Sequence, residues 1–244
     1  MAPSPKRRST VRQDSHQNRL LAQLSPEVYR KIALDLEPVS VQMGQVISEV
    51  GDRVKHLYFP SKNTMLSLLC TSAEANAVEV GVTGWEGFVG FAPLLGAETS
   101  PHQVIAQIPG AAVRISVRAA QKFVRESPDL HSLLLRYVQA VIVQISQTAL
   151  CNRIHSVEER LARWALVNQD RTDHHQLPLT HEFLARMLGV NRSTVSLTAA
   201  TLQRAGVVRY TRGKFTILDR KRLEEVACDC YRVVSEQYKR LNII

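Results

Sequence analysis

The fold of the C-terminal part is decided by the stretch LTHEFLARMLGVNRSTVSLTAATLQRAGVVRYTRGKFTI, residues 179–217. Ala185, Gly189 and Val195 follow one another at intervals of four and six residues within it. Ala185 is small where two helices must press together, and Gly189 adopts a positive φ in the turn without a steric penalty. Val195 then pins the second helix to the first. This spacing predicts a helix-turn-helix.

The second helix of the motif has its own start, face and stop signals. Asn191 is a good N-cap residue, and Val195, Ala199 and Leu202 form an apolar stripe at helical spacing. Gly206 is suited to a left-handed C-terminal cap. The predicted outward face carries Arg192, Ser193, Ser196 and Leu197.

The run Val207–Ile217 is rich in β-forming residues and is interrupted by Arg212-Gly213-Lys214, which predicts a hairpin with a basic tip. Together the elements form a winged helix-turn-helix suited to the DNA major groove. The alternative is an ordinary helical hairpin with coincidental spacing.

Charge favours DNA binding over that alternative. Residues 180–222 contain nine Lys or Arg and two Asp or Glu, and residues 1–19 contain five and one. The rest of the chain is slightly acidic, although the whole carries +9. A basic excess confined to the motif is typical of phosphate binding.

Length and composition exclude several other classes of protein. A chain of 244 residues, 45% of them hydrophobic, accommodates two modest domains. The sequence contains no run of eighteen apolar residues, so we expect no membrane span. The basic N-terminus lacks the apolar segment of a secretory signal. Four scattered cysteines make no disulfide scaffold. We expect a cytoplasmic protein, and without catalytic sequence motifs we expect neither an enzyme nor a cofactor.

The remainder of the chain divides by pattern. Residues 1–18 are predicted to be a disordered basic tail, and a short helix pair follows over 20–37, its second helix starting at Ser25-Pro26. Gly, Asn, Asp and Pro then separate short β-rich runs, which predicts an antiparallel sandwich or barrel. These runs are Val39–Val41, Val46–Ile47, His56–Phe59, Met65–Leu69, Ala77–Val82, Val104–Ile108 and Ala112–Ile115. Helical periodicity returns at Val117.

Residues 129–155 form the longest helical pattern. Leu134, Val138, Val141, Ile145 and Thr148 are spaced four, three, four and three residues apart, the a/d pattern of a coiled coil. The alternative is a core helix packed on its own β-domain. We expect these five residues to form a dimer interface, while part of the helix packs on the β-domain.

This order of elements resembles the Crp/Fnr superfamily of bacterial transcription regulators. The residues that carry the resemblance are Leu184–Ser196, Glu158–Trp164 and Glu86–Gly90. It implies an α+β fold with a β-roll over 19–128, a dimerisation helix over 129–155 and a winged helix-turn-helix over 156–244. It also implies a homodimer on a palindromic promoter site, whose β-roll senses a signal or contacts RNA polymerase.

The sensor residues depart from the family pattern. Gly90 matches the glycine of the cyclic-AMP-binding members, but Phe91 replaces the following Glu, and Pro101-His102 replaces Arg-Ser. Without that Arg a cyclic phosphate is not neutralised, so we expect these four positions to line an effector pocket that does not take cyclic nucleotides. No cysteine precedes Cys70, which excludes the family's iron–sulfur sensor. The alternative function is a redox- or ligand-responsive sensor with a different effector.

The DNA-reading residues also differ from the best-known members. Arg192 matches an arginine that contacts guanine, which is worth roughly 1–3 kcal/mol of discrimination, and Ser196 matches a common position. Ser193 and Leu197 replace a Glu and an Arg, so we expect a different half-site. The residues predicted to contact phosphates are Thr180, Asn191, Thr194, Arg212 and Lys214.

Two groups of potential metal ligands are interpreted as structural. His174-His175, with Asp170 and Asp173 nearby, is better explained as a linker. Cys228-Asp229-Cys230 could be a redox or metal pair, but Cys228 falls on the apolar side of one predicted helix, which favours packing. Cys151 is expected to be a buried thiol. The sequence therefore predicts no metal site.

Overall fold

The computed structural model describes residues 18–72, 77–172, 176–211 and 213–243. Helices and strands are mixed, as predicted. The helices are α1 Arg19–Ala22, α2 Pro26–Ile32, α3 Val117–Glu126, α4 Pro128–Ile154, α5 Val157–Thr172, α6 His181–Leu188, α7 Arg192–Arg204, α8 Arg220–Val226 and α9 Cys230–Arg240. The strands are β1 Glu37–Val41, β2 Val46–Ser48, β3 His56–Pro60, β4 Met65–Thr71, β5 Ala77–Thr83, β6 Gln103–Ile108, β7 Gly110–Ser116, β8 Gln176–Pro178, β9 Val208–Thr211 and β10 Lys214–Ile217.

Strands β1–β7 form the antiparallel β-roll. One sheet has the order β1-β7-β3 and the other the order β2-β6-β4-β5. All seven predicted strand runs are confirmed, because their β-branched and aromatic residues fill the interior while Gly, Asn and Pro break the chain between them. The predicted helix pair is also present, and Ser25 caps α2 through its side chain. Of the predicted tail only Asn18 is described, and it is buried and donates to the carbonyls of Pro60 and Gly87.

Helix α4 lies against the β-roll and α9. Its Tyr137 is fully buried, with its ring centroid 5.1 Å from that of Phe88 and its hydroxyl 2.8 Å from that of Thr83. By length and composition α4 could cross a membrane, but 44% of its most apolar window is buried inside the protein. The buried core helix of a globular protein can have the same length and apolar composition.

The predicted dimer interface faces inwards instead. Of its five residues, Leu134, Val138, Val141 and Thr148 are buried and Ile145 is partly buried within the chain. The 3.5-residue period identified an apolar face correctly but not what covers it, which is the chain's own core. The outer side of α4 exposes a second apolar set, Leu135, Ile142, Leu150 and Ile154.

The segment Glu86–Gly90 positions α4 and α5 on the roll. A Cβ on Gly87 would lie 2.0 Å from the ring of Tyr137, so only glycine leaves room for that ring. Glu86 accepts hydrogen bonds from the backbone of Gly84 and lies 3.4 Å from Arg171 of α5. The segment Glu86–Gly90 therefore connects the roll to α4 and α5 through these contacts.

A second apolar core joins the β-roll to those helices. Met65, Leu69 and Ile105 of the roll share it with Leu161 and Leu184. At its edge the buried carboxyl of Glu79 accepts hydrogen bonds from Ser67 and from Trp164 Nε1, both at 2.8 Å. Burial raises the pKa of Glu79 from its ordinary value of 4.5 to about 7, although the two hydrogen bonds oppose the shift.

Glu79 should make stability depend on pH. Between pH 4.5 and about 7 the folded chain retains a proton that the unfolded chain has lost, so the free energy of unfolding should fall as the pH rises. The expected loss is about 3 kcal/mol, since each pKa unit corresponds to about 1.4 kcal/mol. Urea unfolding at pH 5 and pH 8 should show this loss in the wild type but not in Glu79→Gln. The exposed Glu126→Gln is the control, and equal pH dependence in both variants would contradict the assignment.

Candidate nucleic-acid interface

Helices α6 and α7 form the predicted helix-turn-helix. Gly189 ends α6 in the left-handed region at φ 63°, and its N–H bonds back to Ala185 and Arg186. Ala185 and Val195 are buried between the helices. A Cβ on Gly189 would also lie 2.9 Å from Val78 of β5, so the turn rests directly on the β-roll.

The two helix starts differ from each other. Thr180 caps α6, its hydroxyl accepting from the backbone N–H of Phe183 at 3.1 Å. Asn191 occupies the N-cap position of α7, but its side chain makes no capping hydrogen bond. The predicted cap is therefore right in position and wrong in its contact. Gly206, at φ 73°, follows the end of α7 as expected.

The outward face of α7 is open. Asn191, Arg192 and Ser193 are exposed, and Thr194 is partly buried. Leu197 is 67% exposed, a large apolar side chain without cover in the described chain. Ser196 is the exception, because its hydroxyl lies 2.8 Å from Nδ1 of His181 and donates to the carbonyl of Arg192.

His181 and Tyr210 belong to this face, although the sequence did not single them out. Their rings stack with centroids 4.1 Å apart, and the Tyr210 hydroxyl donates to the carbonyl of Leu179. Burial and the charge of Arg192 lower the pKa of His181, which favours a neutral ring. The stack joins the start of α6 to the wing, and the hydrogen bond to Ser196 adds α7.

The wing is the antiparallel sheet β8-β10-β9. Lys214 pairs with Thr211 across the hairpin and its side chain is exposed. The backbone N–H of Leu179 bonds to the carbonyl of Gly213 at 2.8 Å, which fixes the tip beside the start of α6. Arg212 lies outside the described residues, as does His174-His175.

Comparison with known proteins agrees with this geometry. Residues 159–226 match the family model of the Crp-like helix-turn-helix domain. The chain therefore contains a Crp-like helix-turn-helix domain. Solved proteins similar to this chain include a transcriptional regulator of the Crp/Fnr family.

Several solved structures show the same fold along most of the chain. A Crp/Fnr-family transcriptional regulator from Thermus thermophilus is 25% identical, with a TM-score of 0.63 over 78% of this chain and 98% of its own. FixK2 from Bradyrhizobium japonicum is 13% identical, with a TM-score of 0.69 over 79% and 98%. The c-di-GMP-responsive regulator CLP from Xanthomonas campestris is 15% identical, with a TM-score of 0.66 over 79% and 99%. The curated proteins searched by sequence gave no match.

The β-roll contains a cavity of about 340 Å³, but it is built from other residues than those expected. Of the four expected residues only Gly90 lines it. Phe91 is buried against Phe88, Pro101 is exposed, and His102 lies in the bend before β6. The expected pocket is corrected accordingly. The charged lining residues are Asp52, Arg53 and Lys55.

Cys151, Cys228 and Cys230 are buried, as expected, but their arrangement differs from the expected one. Cys228 lies between α8 and α9 rather than within one helix, and Cys230 begins α9. Both lie beside Cys151, at the last turn of α4, in one buried cluster. No sequence pattern indicated this convergence, because two elements far apart in the chain supply the thiols.

Proposed function

We propose that the chain acts in the cytoplasm as a homodimer on a palindromic promoter site, with one α7 of each copy in the major groove. The exposed N-terminal half of α7, headed by Arg192, carries the proposal. The wing tip and the start of α6 meet beside it, so Thr180 and Lys214 are available for phosphate contacts. The family resemblance is what supports RNA polymerase as a second partner.

The proposed dimer uses the outer face of α4. Leu135, Ile142, Leu150 and Ile154 are between 38% and 60% exposed. At 100° per residue they fall within about one third of the helix circumference. A continuous apolar stripe of this kind on a long helix suits pairing with a second copy, and two copies would present two recognition helices to neighbouring major grooves.

The proposed signal site is the β-roll cavity. Lys55 and Arg53 offer cationic groups and Asp52 an anionic one, which supports a small polar effector. Arg53 is already close to Glu98, at 3.5 Å. Pro101 and His102, which stand where the cyclic-AMP-binding members have their phosphate-binding Arg-Ser pair, do not line the cavity.

Arg192→Ala should weaken specific DNA binding and relax selectivity at one base pair. The expected loss is roughly 1–3 kcal/mol at that pair, because the guanidinium donates two hydrogen bonds to guanine. Gel-shift titrations on the palindrome and on single-base variants, at several salt concentrations, measure it. Arg204→Ala, at the opposite end of α7, is the control and should leave base preference unchanged. If the two variants behaved alike, α7 would not be the reader as assigned.

Ile142→Glu with Leu150→Glu should convert the dimer into monomers, because two charges are placed within the apolar stripe. Sedimentation velocity measures the change in mass. Leu34→Glu is the control, since Leu34 is 88% exposed and does not belong to the apolar stripe of α4. A wild-type chain that sediments as a monomer, or a double variant that stays dimeric, would rule out this face.

Cyclic AMP should not bind the β-roll. Isothermal calorimetry of the full chain is expected to show no binding at micromolar concentrations, because no residue at 101 or 102 supplies the guanidinium that the cyclic phosphate needs. Micromolar binding would refute the proposed departure from the cyclic-nucleotide members.

A further inference from the structure

Three thiols and one imidazole meet where the end of α4 touches the α8–α9 connection. The sulfurs of Cys151 and Cys228 are 3.4 Å apart, and that of Cys230 is 3.4 Å from Nδ1 of His155. The four ligand atoms all lie within 4.8 Å of one another. The three cysteines are buried and unpaired by disulfides, and His155 is partly buried.

These separations fit one tetrahedral ion. Zn–S bonds of about 2.3 Å and Zn–N bonds of about 2.1 Å place the ligand atoms of a tetrahedron roughly 3.5–3.8 Å apart. The cluster requires only small side-chain movements to reach that arrangement. Cys151 and His155 are four residues apart at the end of one helix, so they project from the same side. Cys228 and Cys230 approach from the other.

We propose that Cys151, His155, Cys228 and Cys230 form a structural Zn²⁺ site that fastens the end of α4 to the far end of the DNA-binding domain. The donor set is Cys₃His, one of the closed sets that structural zinc sites use. Thiolate ligands select zinc over hard cations such as Mg²⁺ and Ca²⁺.

Two neighbouring groups complete the surroundings of the ligands. Nε2 of His155 lies 3.7 Å from a carboxylate oxygen of Asp229, which leaves Nδ1 directed at the sulfurs. Carboxylates in this position orient metal-binding imidazoles. Nε2 of Gln147, one turn before Cys151, donates to the sulfur of Cys230 at 3.2 Å. The first contact orients the imidazole, and the second suits an anionic thiolate.

Buried positive charge offsets the charge that the site would carry. Three thiolates, one neutral imidazole and Zn²⁺ sum to a net charge of −1. Arg160 and Arg163 of α5 are 7% and 8% exposed, and the charge of Arg163 acts on Cys151. Nε of Arg163 and Nε of Arg160 have no hydrogen-bond partner among the described residues. Arg160 also donates through a terminal nitrogen to the carbonyl of Leu188, and Arg163 acts on the buried Glu79. Buried guanidinium groups are stabilised by nearby negative charge, so an anionic metal centre would add to these contacts.

A mononuclear ion fits better than the two other uses of these thiols. An iron–sulfur cluster spreads its protein ligands over several irons, whereas these four converge on one point. A Cys151–Cys228 disulfide would bring the sulfurs to about 2.05 Å. It would not explain why Cys230 and His155 lie in the same cluster. The inclusion of the imidazole and its carboxylate favours the metal.

The site would close a long loop. Cys151 and Cys228 are 77 residues apart in sequence, and the helix-turn-helix domain at 159–226 lies wholly between them. A metal at this point fixes where that domain begins and ends relative to α4. Closing so long a loop restricts the unfolded chain strongly.

Metal content is the first test. The full chain, purified without a histidine tag under reducing conditions, should contain one Zn²⁺ per chain by plasma mass spectrometry. Cys228→Ser and Cys230→Ser should lose the metal, and Cys70→Ser, which alters the exposed cysteine of β4, should retain it. His155→Cys should also retain it, because a Cys₄ set is equally suitable.

Cobalt titration is the second test and does not depend on whether the serine variants fold. Wild-type chain stripped of metal, kept reduced and titrated with Co²⁺ should develop the absorption of tetrahedral thiolate-bound cobalt, and one equivalent of Zn²⁺ should remove it. His155→Cys should shift those bands towards an all-sulfur set. Asp229→Asn should lower Zn²⁺ affinity about 10- to 100-fold against a chromogenic chelator.

Three results would overturn the proposal. One is a reduced, folded wild-type chain that binds Co²⁺ no better than Cys151→Ser/Cys228→Ser. Another is a Cys151–Cys228 disulfide in protein isolated anaerobically with reductant. The third is stoichiometric iron with inorganic sulfide at these cysteines.

Discussion

The arrangement of the two halves depends on one buried guanidinium, that of Arg171 in α5. It lies 3.4 Å from the carboxylate of Glu86, donates to the carbonyl of Val82 and lies over the ring of Tyr238 in α9. Its side chain is 7% exposed and that of Glu86 is 1% exposed. Removing one partner of such a pair leaves a buried charge and costs about 3–5 kcal/mol. Arg171 therefore links the β-roll, α5 and α9, and together with the second apolar core it holds the C-terminal helices against the roll.

Local sequence signals were sufficient to predict the helices and strands. They were insufficient to predict which surfaces those elements pack against. The seven strand runs and the turns at Gly189 and Gly206 are encoded within a few residues, because breakers and left-handed φ values act locally. The face of α4 is different. Leu134 and Val138 have the same period whether a second copy or the β-roll covers them, and only the fold shows that the roll does.

The same distinction holds within the DNA-binding face and the cysteine cluster. Arg192 and Leu197 could be placed on the outer side of α7 from helical spacing alone. His181 could not, since its contact with Ser196 bridges two helices and its stack on Tyr210 bridges a helix and a strand. Cys151 and Cys228 likewise come together only because the chain from α5 to α8 folds back to the end of α4. Contacts between elements distant in sequence carry no local pattern from which to predict them.

The bond between Ser196 and His181 bears on how the outer face of α7 could change in evolution. Substituting Ser196 would deprive a partly buried imidazole of its hydrogen bond and disturb the stack behind it. Ser193 and Leu197 are exposed, so substitutions there alter what the helix offers to a base pair with little effect on folding. In the proposed mode of DNA binding, changes in the bound sequence should consequently be concentrated at the base pairs opposite these two residues, whereas the pair opposite Ser196 should stay fixed among close descendants.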